Sequence, residues 1–529
     1  MGLIERRSWL RVVVCAVVLA IATALAASTE QAAQQTPPQL PPNTAMVPLT
    51  RDLSKELANK TKGTFVVAAV GDLLMQEPMG KTVSPELRRI LRDADTTVGN
   101  KEHYVIDSRD WQSGHGNNWA PKELAQDLAD LGFDLLAPGE GDGGVAGMKS
   151  SFFWYDKVGI QIAGQGPNLT TARTPVFQQT PKGRVALASA FPVPDRGAGA
   201  NAIIAADRNG NSGTDRFGLN PLRLTVWNVV SPEMLRQFKA MKDAVMARRT
   251  ESDVARPMNV GQDAADRVTL FADQRYMAGE KVGAYHYEMN AGDLEANILA
   301  VRNAKEYGDY VMFTMHSHQN RYAYQAYSQD HYPADFLVEL THKLVDNGMD
   351  MYVGHGNHTI AGIEIYKGRP IFYNLGNFSV MRFGAEYSAP SGDGMTAIER
   401  GDQDGRGTFQ QYINLVAILA QTTYQDGILK EVRIYPVDLG VDRSKRPWSK
   451  MSIPTTPSPE LANRILADVQ KYSEPFGTKI SIENGVGVIR VPASATVPIG
   501  GDIRSTFQPG AGRAGGRGRS QGPAPGGGR

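Results

Sequence analysis

The sequence predicts an α/β fold built on a largely parallel sheet. Short apolar, β-prone runs alternate with amphipathic stretches at the spacing of strand–helix–strand units. Several of these runs stop on a glycine that is followed at once by Asp or His. Buried strands do this when they deliver ligands to the carboxyl edge of a sheet. The most pointed instance lies at residues 350–358, where an apolar run ends at Gly354 and is followed by His355 and His358.

At the start of the 529-residue chain, Arg6, Arg7 and Arg11 precede an apolar run at 12–26 that closes on Ala24, Leu25 and Ala26. That order is the one of a cleavable secretory signal, so residues 1–26 are assigned to a signal and the protein to the periplasm or the exterior. Cys15, the one cysteine, lies inside the signal, which leaves the mature chain without disulfides or thiol chemistry. Residues 27–62, rich in Gln, Pro, Thr and Ala, read as an unstructured linker. The 56 basic and 55 acidic side chains nearly cancel, so no basic field calls for nucleic acid. Residues 508–529 are almost all Gly, Pro, Ala, Ser and Arg and form a disordered tail with nothing apolar to bury.

Between linker and tail, residues 63–492 make one domain. The strand at 64–70 runs into Gly71 and Asp72. A helix at 85–91 leads to a strand at 96–99, which delivers Asn100 and Glu102. A helix at 121–131 precedes the strand at 133–137 and a glycine-rich loop, 138–144, that carries Glu140 and Asp142. A helix at 150–158 and strands at 159–166 and 184–189 follow. Residues 191–230 are low in strand signal and read as a long ordered loop over the active edge. Helices are expected at 232–248 and at 293–307, the latter capped by Asp293.

The strand at 310–315 ends in His316 and His318, and a helix at 335–347 separates it from the strand before His355. Residues 363–373 read as a hairpin turning at Lys367 and Gly368. Strands at 410–419 and 428–435 and a helix at 459–472 lead to a hairpin at 480–491, which turns on Asn484 and Gly485.

The chemistry-bearing residues collect at strand ends. Asp72 and Glu102 form a carboxylate pair suited to a divalent metal. Two strand-terminal histidine clusters, at His316 and at His355, add imidazole ligands. His103, His115, His286, His331 and His342 are read as structural or surface residues.

In order along the chain, Gly71-Asp72, Asn100 with Glu102, Gly164 with Gly166, the His316 strand end, Gly354-His355 with His358, and the run from Tyr373 to Phe378 resemble the CapA family. These are capsule-synthesis, poly-γ-glutamate-associated proteins, and the likeness runs from about residue 64 to 491. The resemblance implies a four-layer calcineurin-like metallophosphoesterase-type fold, a β-sandwich flanked by helices. It implies a divalent ion (Mn, Mg or Zn) on Asp72, Glu102, His316 and His355 or His358, with His316 and His355 as the catalytic imidazoles. In three places the chain departs from the family pattern: Glu140 and Asp142 stand where it has Asn and His, residues 316–322 differ after the first histidine, and Gly356 and Asn357 separate His355 from His358.

Two functions follow. One is an envelope hydrolase, in which clustered ligands acidify a bound water and Arg216, Arg223 or Arg321 clamps an anionic group. The other is a non-catalytic component that binds an anionic envelope polymer and carries a degenerate metal site. Either acts on such a polymer or a small-molecule substrate, beside a membrane synthesis or export complex. N-terminal sequencing of the exported protein is expected to find a start near Ala27; a retained Met1 on a cytosolic protein overturns the signal assignment.

Overall fold

The computed structural model describes residues 58–107, 109, 119–139, 144–195, 202–207, 214–248, 263–270, 274–322, 331–380, 412–442 and 452–496. The expected signal, most of the linker, the carboxylates of the 138–144 loop and the tail lie outside these.

Strands β1 (Thr64–Leu74), β2 (Thr96–Lys101), β3 (Leu135–Pro138) and β4 (Gln161–Ile162) lie side by side, all parallel. The chain then enters a second sheet through β5 (Gly183–Pro194), β6 (Pro221–Val230), β7 (Tyr310–His316), β8 (Met351–His355), β9 (Ile363–Tyr366) and β10 (Arg369–Phe372). There the order is β6-β5-β7-β8-β10-β9, parallel except for the β9–β10 hairpin. Finally the chain returns to the first sheet with β11 (Asn377–Val380), β12 (Val416–Gln425), β13 (Ile428–Asp438), β14 (Ser481–Glu483) and β15 (Val486–Arg490). The described residues therefore form two large sheets, with two small two-stranded ones, where strand–helix alternation alone suggested one. Periodicity reports that a run is a buried strand; it carries no mark of which sheet the strand joins.

Side-chain alternation explains the layers. Along β1, Phe65, Val67 and Ala69 face the second sheet, while Ala68 and Val70 face helices. Along β7, Tyr310 and Met312 face the first sheet and Val311, Phe313 and Met315 face outward. Both faces of these strands are covered, which is why their sequences are continuous apolar runs. Helices α1 (Pro85–Asp93), α2 (Glu123–Asp130) and α3 (Gly144–Lys157) cover the first sheet, through Leu87, Ile90, Leu124, Leu128 and Tyr155. After α4 (Pro232–Met246), helices α5 (Ala291–Tyr307) and α6 (Asp335–Val345) cover the second, through Val301, Ala304, Leu340 and Leu344. Ile465, Leu466 and Val469 of α7 (Pro459–Ser473) pack into the core between the sheets. The result is the helix–sheet–sheet–helix sandwich that the resemblance implied.

Three local expectations need correcting. The expected loop at 191–230 contains the end of β5 and all of β6. In β6, Leu222, Leu224 and Val226 are buried while Arg223 and Thr225 are not, a two-residue alternation that the sequence does carry. Helix α5 starts at Ala291 with Asn290 as its cap, its side chain accepting from the Asp293 amide; Asp293 instead lies in the first turn and receives Arg173 and Arg223. Residues 412–415 form a short helix before β12. Both hairpins turn at the expected residues, Lys367-Gly368 and Asn484-Gly485, all four with positive φ.

A contact between the Tyr285–Met289 strand and α6 has a pH signature. His286 Nδ1 lies 2.5 Å from Asp335 Oδ2, and this hydrogen bond raises the histidine pKa above 6.5 against the opposing effect of burial. The stabilisation from a raised histidine is full below the unfolded value and is lost as pH rises through the folded one. Melting temperatures taken from pH 5 to 9 are expected to show this component in the wild type and not in His286→Gln; parallel profiles overturn it.

Candidate metal centre

The strand registers align the polar residues in two rows. In the first sheet Asp72 is level with Asn100 on β2 and with Asn377 on β11. In the second, His316 is level with His355. Asp72, Asn100, His316 and His355 stand at or near the carboxyl ends of their strands and Asn377 opens β11, so the closed sandwich brings the two rows face to face. Gly71 permits the approach: a Cβ there would overlap the Gly376 carbonyl oxygen, which accepts from the Asp72 amide at 3.0 Å.

Asp72 is fully buried, and the Gly356 amide donates to both its oxygens, at 3.1 Å each. Asn100 Nδ2 donates to Asp72 Oδ1 at 2.8 Å and to Glu102 Oε1 at 3.2 Å, and lies 2.9 Å from His316 Nδ1. His358, in a left-handed conformation at φ 56°, places Nδ1 3.4 Å from Asp72 Oδ2 and Nε2 3.7 Å from Glu102 Oε2. Its Nδ1–H donates to Asn377 Oδ1 at 2.8 Å, and Asn377 in turn donates to the Asn414 carbonyl at 3.0 Å. That chain fixes the orientation of the ring and turns Nε2 toward Glu102.

One ligand atom from each of Asp72, Glu102 and His358 falls within 4.8 Å of the others, and all three residues are buried. Burial alone raises the Asp72 pKa. The hydrogen bond from His358 and the charges of His358, His316 and His355 outweigh it and hold the carboxyl far below its usual range. His355, also buried, is pushed down to about 4 by desolvation, against the pull of Asp72, and is neutral at pH 7. Neither of its ring nitrogens has a hydrogen-bond partner, and it lines a small cavity with Tyr352, Asn357, Tyr373 and Asn374. Two carboxylates and an imidazole, drawn together in a buried place, fit a divalent cation of oxygen and nitrogen preference.

The expected ligands Asp72, Glu102 and His358 thus come together directly. His316 stands 3.5 Å from Glu102 through Nδ1, and His355 joins the cluster only through the charge of Asp72. The three expected anion-binding arginines each have a partner outside the ligand cluster. Arg216 donates to the Ile204 carbonyl, Arg223 pairs with Asp293, and the Arg321 guanidinium lies over the Tyr332 ring. Asn100, Asn377 and Gly356 were missed as functional residues. The register could have exposed the first two, since both occupy the Asp72 row. His103, read as structural, spans the Leu73 carbonyl at 2.8 Å and the Tyr155 hydroxyl at 2.7 Å, beside Glu102.

A family profile described as "Bacterial capsule synthesis protein PGA_cap" matches residues 66–381. An "Uncharacterized protein y4sH" of Sinorhizobium fredii is 33% identical over 477 residues, 83% of this chain and 96% of that one. The "PGA biosynthesis protein CapA" of Bacillus subtilis is 37% identical over 86 residues, 16% of this chain and 20% of that protein. A solved structure titled putative 5'-nucleotidase, from Staphylococcus aureus, aligns at 8% identity and TM-score 0.33, over 69% of this chain and 53% of that one. A likeness that loose bears no weight.

Gly356 has φ 97°, and a Cβ added to it would lie 2.9 Å from His316 Cδ2 and 3.0 Å from Nε2, as well as 2.8 Å from the Ser317 amide. Gly356→Ala is expected to displace His316 and the amide that holds Asp72, lowering divalent-metal affinity by roughly tenfold or more, the scale seen when groups that orient ligands are lost. Calorimetric titration checks this, and unchanged affinity in a folded variant overturns it.

Proposed function

Because this chain belongs to the bacterial capsule synthesis protein family, we propose that it is an exported, divalent-metal-dependent hydrolase acting on an anionic capsular polymer of the poly-γ-glutamate type. The observation that carries the reading is the convergence of Asp72, Glu102 and His358 at one buried point. These residues would hold the cation, with His316 beside them. A bound divalent cation supplies Lewis acidity to water and to the oxygen of an ester or amide.

The chain's own residues supply the rest. Asn377 and Asn414 orient His358, Gly356 and Asn100 orient Asp72, and Asn100 also orients Glu102. His355 offers two ring nitrogens for proton transfer, and Phe191 stacks on His316 at 5.8 Å to fix the plane of its ring. Arg223, with about half its side chain exposed, offers a guanidinium to polymer carboxylates near the second sheet. The polymer would arrive from a membrane synthesis or export complex.

A second reading, a polymer-binding component without turnover, draws on Asn100. Its amide already satisfies Asp72 and Glu102 and approaches His316, as in a site that stands without a metal.

Metal analysis of the purified mature protein, with hydrolysis and binding assays on poly-γ-glutamate and a phosphoester screen, separates the two readings. Wild type is expected to carry a divalent metal and to turn over polymer or ester. Asp72→Asn, which keeps the shape and loses the charge, is expected to lose both. Polymer binding without metal or turnover in the wild type supports the second reading and overturns the first.

A further inference from the structure

Asp293, in the first turn of α5, is buried, and two arginines from different parts of the chain reach it. Arg173 closes the short helix Leu169–Arg173, and Arg223 lies in β6. Arg173 Nη2 and Arg223 Nη1 each lie 2.9 Å from Asp293 Oδ1, and Arg223 Nη1 is 3.0 Å from Oδ2. Arg173 Nε donates to Asn220 Oδ1 at 3.3 Å. The remaining guanidinium nitrogens, Nε and Nη2 of Arg223 and Nη1 of Arg173, hold no hydrogen bond among the described residues. They are within reach of a ligand, since 52% of the Arg223 side chain and 27% of the Arg173 side chain are exposed.

Two like charges thus share one carboxylate oxygen. Burial and the neighbouring Arg223 both pull the Arg173 pKa down, and Asp293 works against them. Asp207 adds its charge near Arg173, while its own oxygens take the Thr170 amide and hydroxyl. An oxyanion on the idle donors would relieve the repulsion, and a guanidinium fork takes a carboxylate through two N–H groups. The pair is also tied to the candidate metal centre through the second sheet. Asn220 donates to the Ser189 carbonyl at 2.9 Å, and its own carbonyl takes the Phe191 amide at 2.8 Å. Phe191 is the ring stacked on His316, and Arg223 is level with Val193, two residues farther along β5. Strands β6 and β7 flank β5, so Arg223 starts two strand spacings, about 10 Å, to one side of the His316 strand.

We propose that Arg173 and Arg223, held by Asp293, form a carboxylate subsite at the carboxyl edge of the second sheet, two strands away from His316. Its ligand class is a polymer that carries a free carboxylate on every repeat. When one repeat lies at Asp72, Glu102 and His358, a neighbouring repeat presents its carboxylate to the two arginines. The subsite thereby selects for pendant acids, because a neutral polymer has nothing to place there. Asp293 fixes both guanidinia before the ligand arrives, so little side-chain freedom is lost on binding. The inference rests on the polymer reading above and adds where the polymer is gripped.

The test titrates the mature protein by calorimetry with poly-γ-glutamate and with its methyl ester, which keeps the backbone and removes the charge. Wild type is expected to bind the acid and not the ester. Arg223→Gln and Arg173→Gln are each expected to weaken binding of the acid by about tenfold, the scale of one lost hydrogen bond to a charged group. Arg223→Lys, which keeps the charge and loses the fork, is expected to recover only part of that. Asp293→Asn is expected to weaken binding too, although it adds positive charge, whereas attraction by charge alone would tighten it. Arg236→Gln, which removes an equal charge from the ion pair with Glu233 on α4, is expected to match wild type. If the folded Arg173 and Arg223 variants bind as wild type does, or Arg236→Gln loses as much, the subsite is overturned. The hydrolase reading then still stands on divalent-metal binding and turnover, measured on the same variants. If wild type binds the ester as well as the acid, or binds neither, the subsite falls and takes the anionic-polymer reading with it.

Discussion

A carboxylate with no exposure to solvent, set at the seam of two sheets, has to be satisfied from both of them, and the rest of the site depends on how Asp72 meets that demand. From the second sheet, the Gly356 amide donates to both its oxygens. From the first, Asn100 donates to one. Leaving a buried charged acceptor without such donors costs several kcal/mol. The sandwich therefore cannot slide or open at this edge without a large loss, and the ends of β1, β2, β7 and β8 stay in mutual register. A rigid edge is what a ligand set needs, because ligand geometry has to survive the arrival and departure of whatever it holds.

The same contacts divide the labour among the histidines. His358 is locked by Asn377 and faces the carboxylates. His316 is braced by Phe191 and shared between Asn100 and His318. His355 is neutral with both nitrogens open. Four imidazoles of one residue type are thus given different partners by the backbone turns that carry them. The left-handed turn at Gly356 and His358 is the means: between them it aims one amide at Asp72 and swings one ring toward Glu102. Capsule-family membership, shown by the profile match and by a relative aligned over most of both chains, accords with this arrangement and leaves the identity of the polymer to chemistry.

The sequence by itself determined which residues end their strands in polar groups and, through its likeness to a family, that the strands form a flanked sandwich. Asp72, Glu102, His316 and His355 could be picked out because each follows an apolar run, and burial on both faces leaves such runs no other reading. The Lys367-Gly368 and Asn484-Gly485 turns were legible for a similar local reason, since few dipeptides accept two positive φ values in succession. Only the tertiary structure decided the rest. Membership in one sheet or the other depends in part on pairing partners more than a hundred residues away, as for β1 with β12 and β5 with β7. It took the register of Asp72 with Asn100 and Asn377 to show two asparagines as parts of the site. Whether His355 or His358 meets the carboxylates turned on one left-handed residue. His318 reads in sequence as the second imidazole of a His-x-His after a strand; its place against His316 follows from the closed turn at Ser317 and from the space that Gly356 leaves, and neither can be read from spacing along the chain.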